Sequence, residues 1–260
     1  MKKIKVLIDD EIKSFLDEKV IKYNSPSFIE NDPISIPHRF ELKEDIEIAG
    51  FLAATISWGN RKIIVRNGHR MIDMLGESPY DFVMSSDSNQ VNRLEGFVHR
   101  TFNNEDYRFF IQALKNIYQV HNGIEAIFNK YATNESLQPA IQHFKRIFFE
   151  QSLHNRAEKH ISDPAKGSAA KKINMYLRWL VRNDKCGVDF GIWQNIKPSQ
   201  LSCPLDVHSG NIARKLGLIN RNQNDAKTVA ELDNVLRIFD KNDPVKYDFA
   251  LFGLGMNENF

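Results

Sequence analysis

The chain has 260 residues, 42% of them hydrophobic and 26% charged, which is enough apolar material to bury a full core as one large unit or two closely joined lobes. The formal charge of only +2 excludes a global polyanion-binding signature, so any nucleic-acid surface has to come from local clustering of basic residues. Two cysteines, Cys186 and Cys203, lack the paired spacing of a zinc or iron–sulfur site and fit a reducing compartment.

At the start of the chain, Asp9, Asp10 and Glu11 interrupt the apolar residues before a signal-peptide core could form. No apolar run approaches the ~18 residues of a membrane helix. A cytoplasmic monomer with no membrane partner, no metal and no cofactor is expected.

Prolines stand between segments that read as helical, the punctuation of an all-α protein. In EDIEIAGFLAATISWG, Ile48, Phe51, Leu52 and Ile56 recur at three and four positions and predict a core helix ending near Gly59. Arg61 to Leu75 continues the pattern with Ile64, Met71, Ile72 and Leu75, and residues 106–120 do so with Phe109, Phe110, Ala113, Leu114 and Ile117. Ile141, Phe144, Ile147, Phe148 and Phe149 form a stripe read as core. The polar stretch 152–168 reads as a loop. No internal repeat is present.

The following helix, GSAAKKINMYLRWLVRND, places Ile173, Tyr176, Leu177, Leu180 and Val181 on one side. Lys171, Arg178 and Arg182 align on the other as a basic ridge, with Trp179 at its edge. The ridge reads either as a solvated face or as a contact to backbone phosphates. Lys166, Gly167 and Ser168 open this helix, where free N–H groups and the dipole can hold a phosphate or where a capping pair is all that is meant.

In PLDVHSGNIARKLGL, Pro204 ends what precedes, Ile212, Ala213 and Leu216 give an apolar helical face, and Gly217 terminates it. Asp206 therefore belongs at the N-cap, where a carboxylate accepts backbone N–H bonds and gains ~0.3–1 kcal/mol from the helix dipole. A cap is one reading; an anion that faces a developing sugar cation is the other. His208 is equally open between a structural and a chemical role.

Four stretches together resemble the helix-hairpin-helix superfamily of DNA glycosylases: FLAATISWGNRKIIVRNGHRMIDMLG, DYRFFIQALKNIYQVHNG, KGSAAKKINMYL and PLDVHSGNIARKLGL, with DPVKYDFALFGLG resembling its last core helix. More closely, RWLVRND, PLDVHS and KYDFALFGLG are similar to a bacterial family known only as domain of unknown function 2400. The resemblance implies an all-α, two-lobed fold, with a central lobe over about 40–185 and a second lobe from 1–39 plus 186–260.

It also implies a base-excision enzyme acting on a damaged base flipped from duplex DNA. Asp206 would be the catalytic carboxylate and Lys171 the Schiff-base amine, which would make the enzyme a glycosylase with abasic-site lyase activity; a one-residue shift would select Lys172. Lys166, Gly167, Ser168, Arg178, Arg182, Trp58, Asn60 and His208 would touch the nucleic acid, with Trp58, Trp179 and Trp193 as aromatic stackers. The sequence departs from the superfamily where Ala169 stands for the hairpin's second glycine. It departs again where NDKCGVDFGIWQNIKPSQLS lengthens the path from Lys171 to Asp206 as a capping excursion. The reading from another class is a non-catalytic helical nucleic-acid-binding module on the same scaffold; a third is an enzyme acting on RNA or a nucleoside.

Overall fold

The structure, a computed structural model, describes residues 10–152 and 155–258. The expected absence of a signal-peptide core concerns residues 1–9, and these, like Leu153 and His154 in the polar connection, lie outside the described residues.

The fold is all-α. In chain order it comprises α1 (Asp10–Tyr23), α2 (Lys43–Thr55), α3 (Arg61–Asp73), the short α4 (Pro79–Ser85) and α5 (Ser88–Asn92), then α6 (Asn104–Val120), α7 (Ile124–Tyr131) and α8 (Gln138–Phe148). After a connection made of two 3-10 turns come α9 (Lys171–Val181), α10 (Val207–Lys215), α11 (Ala226–Phe239) and α12 (Tyr247–Asn257). Among the described residues the strands are β1 (Val98–His99) and β2 (Phe102–Asn103), an antiparallel hairpin between α5 and α6.

Local chemistry sets many of the helix starts. Asn60 caps α3 by accepting from the Ile63 N–H (3.2 Å), and Asn103 and Asp106 form a reciprocal capping box at α6. Helix α2 is apolar round most of its circumference, and Asp45 to Thr55 are all buried, as expected of a helix enclosed by others. Around it Phe51 meets Phe110, Phe144, Phe148 and Tyr176 at ring separations of 5.4–5.7 Å. The stripe read as core on α8 is indeed buried there.

Buried apolar side chains form two contiguous clusters. The larger runs from Ile34 to Leu201 and takes in Val245 and Phe249; the smaller joins Leu16 and Val20 to residues 203–254. Helix α12 contributes to both. It lies between α1 and α10, and α1 approaches closely enough that a Cβ on Gly253 would sit 2.2 Å from the Tyr23 ring.

The excursion after α9 packs into the larger cluster through Val188, Trp193, Ile196 and Leu201. Phe190 N–H donates to Trp179 O (2.7 Å) and Trp193 N–H to Leu180 O (3.0 Å), so the returning chain satisfies carbonyls at the end of α9. The Trp193 indole N–H reaches the buried Glu47 carboxylate at 2.7 Å. Burial pushes Glu47 above the usual carboxylate range against the pull of its Tyr118 and Trp193 hydrogen bonds.

Candidate active site

A cleft of about 1010 Å³ is lined from α3, α9, α10 and α12 and from the turn before α3. Two of its lining residues are 35 positions apart in the chain and adjacent in space. Lys171, the first residue of α9, places its Nζ 3.9 Å from Oδ2 of Asp206, and each side chain keeps about a quarter of its surface exposed to the cleft (27% and 23%).

Asp206 is a helix cap and more. Its Oδ1 accepts from the Ser209 N–H (3.0 Å) and hydroxyl (3.2 Å), and its own N–H donates to Ser209 Oγ (2.9 Å), a complete capping box on α10. The second oxygen, Oδ2, is the one turned to Lys171. Asn224 secures the turn by donating to the Asp206 carbonyl at 2.8 Å.

The approach to Lys171 is unusual. Ala170 caps α9 in the left-handed region (φ 48°), a conformation that costs a non-glycine residue roughly 1–2 kcal/mol. It is braced by donation of the Ala170 N–H to Ser168 Oγ (3.1 Å). Lys166 and Gly167 are exposed and lie outside the cleft lining; Gly167 turns at φ 87°, and its carbonyl accepts from Ala226 N–H (3.0 Å), tying the segment to the start of α11.

Lys172 points elsewhere. Its Nζ donates to the Thr55 carbonyl (2.8 Å) at the end of α2, and burial, with the neighbouring Lys171 charge, lowers it to about 8. Of the two lysines, Lys171 is the one paired with Asp206.

The basic ridge of α9 is not a surface. Arg178 and Arg182 are buried, 3% and 2% exposed, so the wheel's polar side faces inward. Arg178 pairs with Asp189 (3.2 Å) and Asp248, while Arg182 pairs with Asp184 (2.6 Å), Asp189 (3.1 Å) and Asp243 (2.9 Å). Both guanidiniums are taken up by these acids, and Arg178 also lines the cleft. Trp179 and Trp193 are likewise enclosed in the core, which leaves Trp58 as the tryptophan at the cleft.

Trp58, Asn60 and His208 all line the cleft. The Trp58 indole is covered by the Arg100 guanidinium at 4.5 Å from the ring centroid, and its carbonyl lies 3.2 Å from His99 Nε2. Arg100, at the tip of the hairpin in a left-handed conformation (φ 57°), carried no signal in the sequence because its partner is 42 residues away. Arg61 also lines the cleft, paired with Asp32 (2.7 Å) and lying over the Phe252 ring (5.1 Å).

Asp248 of α12 is a buried member of the lining. Burial pushes it up to about 6, against the pull of Arg178 and with a further push from the Asp206 carboxylate. Behind it, Cys203 stands between two buried acids: its Sγ lies 3.9 Å from Asp248 and its N–H donates to Asp233 at 2.9 Å. Burial raises Asp233 to about 6 as well, against the Cys203 N–H.

With its native value above the usual ~3.9, Asp233 binds more protons folded than unfolded between about pH 4 and 6, so its contribution to stability falls as pH rises through that window. Asp233→Asn keeps an acceptor for Cys203 and removes the titration. Relative to the parent, its stability is expected to climb by roughly 2–3 kcal/mol from pH 4 to pH 7 in urea titrations. Parallel curves across that range would sink this account.

Among the described residues no group of His, Cys, Asp or Glu is arranged to hold a metal ion, and no helix is long and apolar enough to cross a membrane. Fold and cleft together define an all-α protein with a lysine–carboxylate pair lining a cleft. It belongs to the family described as protein of unknown function (DUF2400), which matches residues 32–257. Comparison with curated proteins and with solved structures gives no match for this chain.

Proposed function

We propose that the protein is a DNA base-excision enzyme that takes a damaged nucleotide, flipped from the duplex, into the cleft and releases its base, with Lys171 as nucleophile and Asp206 as the catalytic carboxylate. The observation that carries this reading is the 3.9 Å approach of Lys171 Nζ to the uncapped oxygen of Asp206 at an accessible cleft. The resemblance of KGSAAKKINMYL and PLDVHSGNIARKLGL to the glycosylase superfamily supports it from the sequence side.

In this reading Asp206 Oδ2 takes a proton from the Lys171 ammonium, and the freed amine attacks C1′ of the extruded nucleotide. The N–C1′ bond forms as the glycosidic bond breaks, and the base leaves with its electron pair and is protonated. The proton taken by Asp206 is delivered to the departing base, and the carboxylate so restored stabilises the cationic sugar. Ring opening then gives an imine, from which β-elimination of the 3′ phosphate cleaves the strand. Trp58 supplies a stacking wall for the flipped base, since unstacking costs a few kcal/mol that an aromatic contact offsets.

The test is borohydride trapping on a panel of damaged-base duplexes and abasic DNA. A covalent adduct is expected from the unaltered protein and from Lys172→Ala, and none from Lys171→Ala. An adduct that survives Lys171→Ala and disappears in Lys172→Ala would reassign the amine. Base release without any adduct would make water the nucleophile. Neither on any substrate, with salt-dependent binding retained, would leave a non-catalytic nucleic-acid-binding module.

A further inference from the structure

Helix α3 begins at the cleft, where Asn60, Arg61 and Lys62 line the mouth, and then runs away from it. Its sequence, RKIIVRNGHRMID, holds four Arg and Lys residues and one acid, Asp73, which is occupied by Arg39 at 2.8 Å. Arg61 is held by Asp32. The other three, Lys62, Arg66 and Arg70, are exposed.

These three recur at every fourth position, so they share one face that drifts by about 40° per step. The opposite face is fixed in the core by Ile64, Met71 and Ile72. No described carboxylate pairs with Lys62, Arg66 or Arg70; the one hydrogen bond among them is from Arg70 to the Gly96 carbonyl (2.8 Å). Asn67, on the same helix, meets His99 Nδ1 at 3.0 Å and braces α3 against the β1–β2 hairpin.

In a chain whose net charge is only +2, three unneutralised cations in register are a local feature, not a consequence of composition. From Lys62 to Arg70 the helix rises ~12 Å, at ~1.5 Å per residue. One DNA strand presents a phosphate every ~3.4 Å of axis, so the face spans three to four phosphates. A regular row of cations without interleaved acids complements a polyanion backbone better than it does a mixed-charge protein surface.

We infer that the Lys62, Arg66 and Arg70 face of α3 is the track on which the phosphodiester backbone of duplex DNA leaves the cleft. This rests on the cleft being a nucleotide site and not on its catalysing anything.

The experiment is fluorescence anisotropy with the full chain and a short duplex, undamaged or carrying an abasic analogue, across a salt series. The variant K62A/R66A/R70A is compared with K130A/K197A/K241A, which removes the same charge from exposed lysines elsewhere; circular dichroism checks that both remain folded. The α3 variant is expected to flatten the slope of log K against log salt by about 2–3 and to weaken binding on the order of a hundredfold near 0.1 M salt, on damaged and undamaged duplex alike. The comparison variant should change affinity by less than about threefold, because charges outside the contact release no counterions.

Equal losses in the two variants, no loss in either, loss confined to a single-stranded probe, or no duplex binding by the unaltered protein would each overturn the inference. Stripe-dependent duplex binding in a protein that forms no imine and releases no base would leave the surface standing and remove the catalytic reading. The reverse pattern, trapping intact in the α3 variant with unchanged affinity, would remove the surface alone.

Discussion

Asp206→Asn is expected to lower base release by about 10²–10⁴-fold while leaving the melting temperature nearly unchanged. The two outcomes separate because the carboxylate has two jobs on two oxygens. Asn and Asp are nearly equivalent N-caps, and the Asn side-chain oxygen can accept from the Ser209 N–H as Oδ1 does now. What the substitution removes is the negative charge and the proton acceptor facing Lys171. Asp206→Ala should show the same loss of activity together with the ~1 kcal/mol cost of an empty cap. Unchanged base release by Asp206→Asn on a confirmed substrate would make Asp206 a cap and nothing else.

The second large effect is one of stability. Arg182→Met should cost about 3–5 kcal/mol, a large share of the 5–15 kcal/mol that holds an ordinary domain together. Arg182 is enclosed, and three carboxylates, Asp184, Asp189 and Asp243, converge on it. Removing the guanidinium leaves Asp189 beside Arg178 alone and Asp243 without its cation, and an unpaired buried charge is among the most costly defects a fold can carry. Burial already pushes Asp189 and Asp243 above the usual carboxylate range despite the arginines. Chemical denaturation at neutral pH measures the loss; a change below about 1 kcal/mol would show that water, not Arg182, neutralises these acids.

These two predictions also mark what could be read in the sequence. Asp206 was legible as an N-cap because a cap is a local event: proline before, apolar helical spacing after, and a short polar side chain between. The main helices were legible for a related reason, since Phe51, Ile72, Leu114 and Phe144 each announce an inward face within a few positions of their neighbours.

Arg178 and Arg182 were not, because the wheel assigns charged residues outward by default. What turns them inward are acids that arrive from Asp189, after α9, and from Asp243 and Asp248, near α12. Nothing in the spacing of α9 points to those partners. The same default hides the α3 row, whose apolar positions declare the packed face and leave its cations looking like an ordinary solvated side. The meeting of Lys171 with Asp206 follows from resemblance and not from spacing, as a separation of 35 positions carries no geometric information on its own.

The arrangement of α12 between α1 and α10 has a consequence for how the chain reaches its native state. Tyr247 on α12 bonds to Asp17 on α1 across 230 positions, and Lys19 reaches Glu258 across 239. Contacts of such separation close late, because the entropy of the intervening loop has to be overcome before they stabilise anything. The larger cluster draws nearly all its members from residues 34–201 and can collapse as that stretch emerges from the ribosome, whereas the smaller one has to wait for its helices 203–254 to be made. Until then Leu16 and Val20 of α1 are without their core partners.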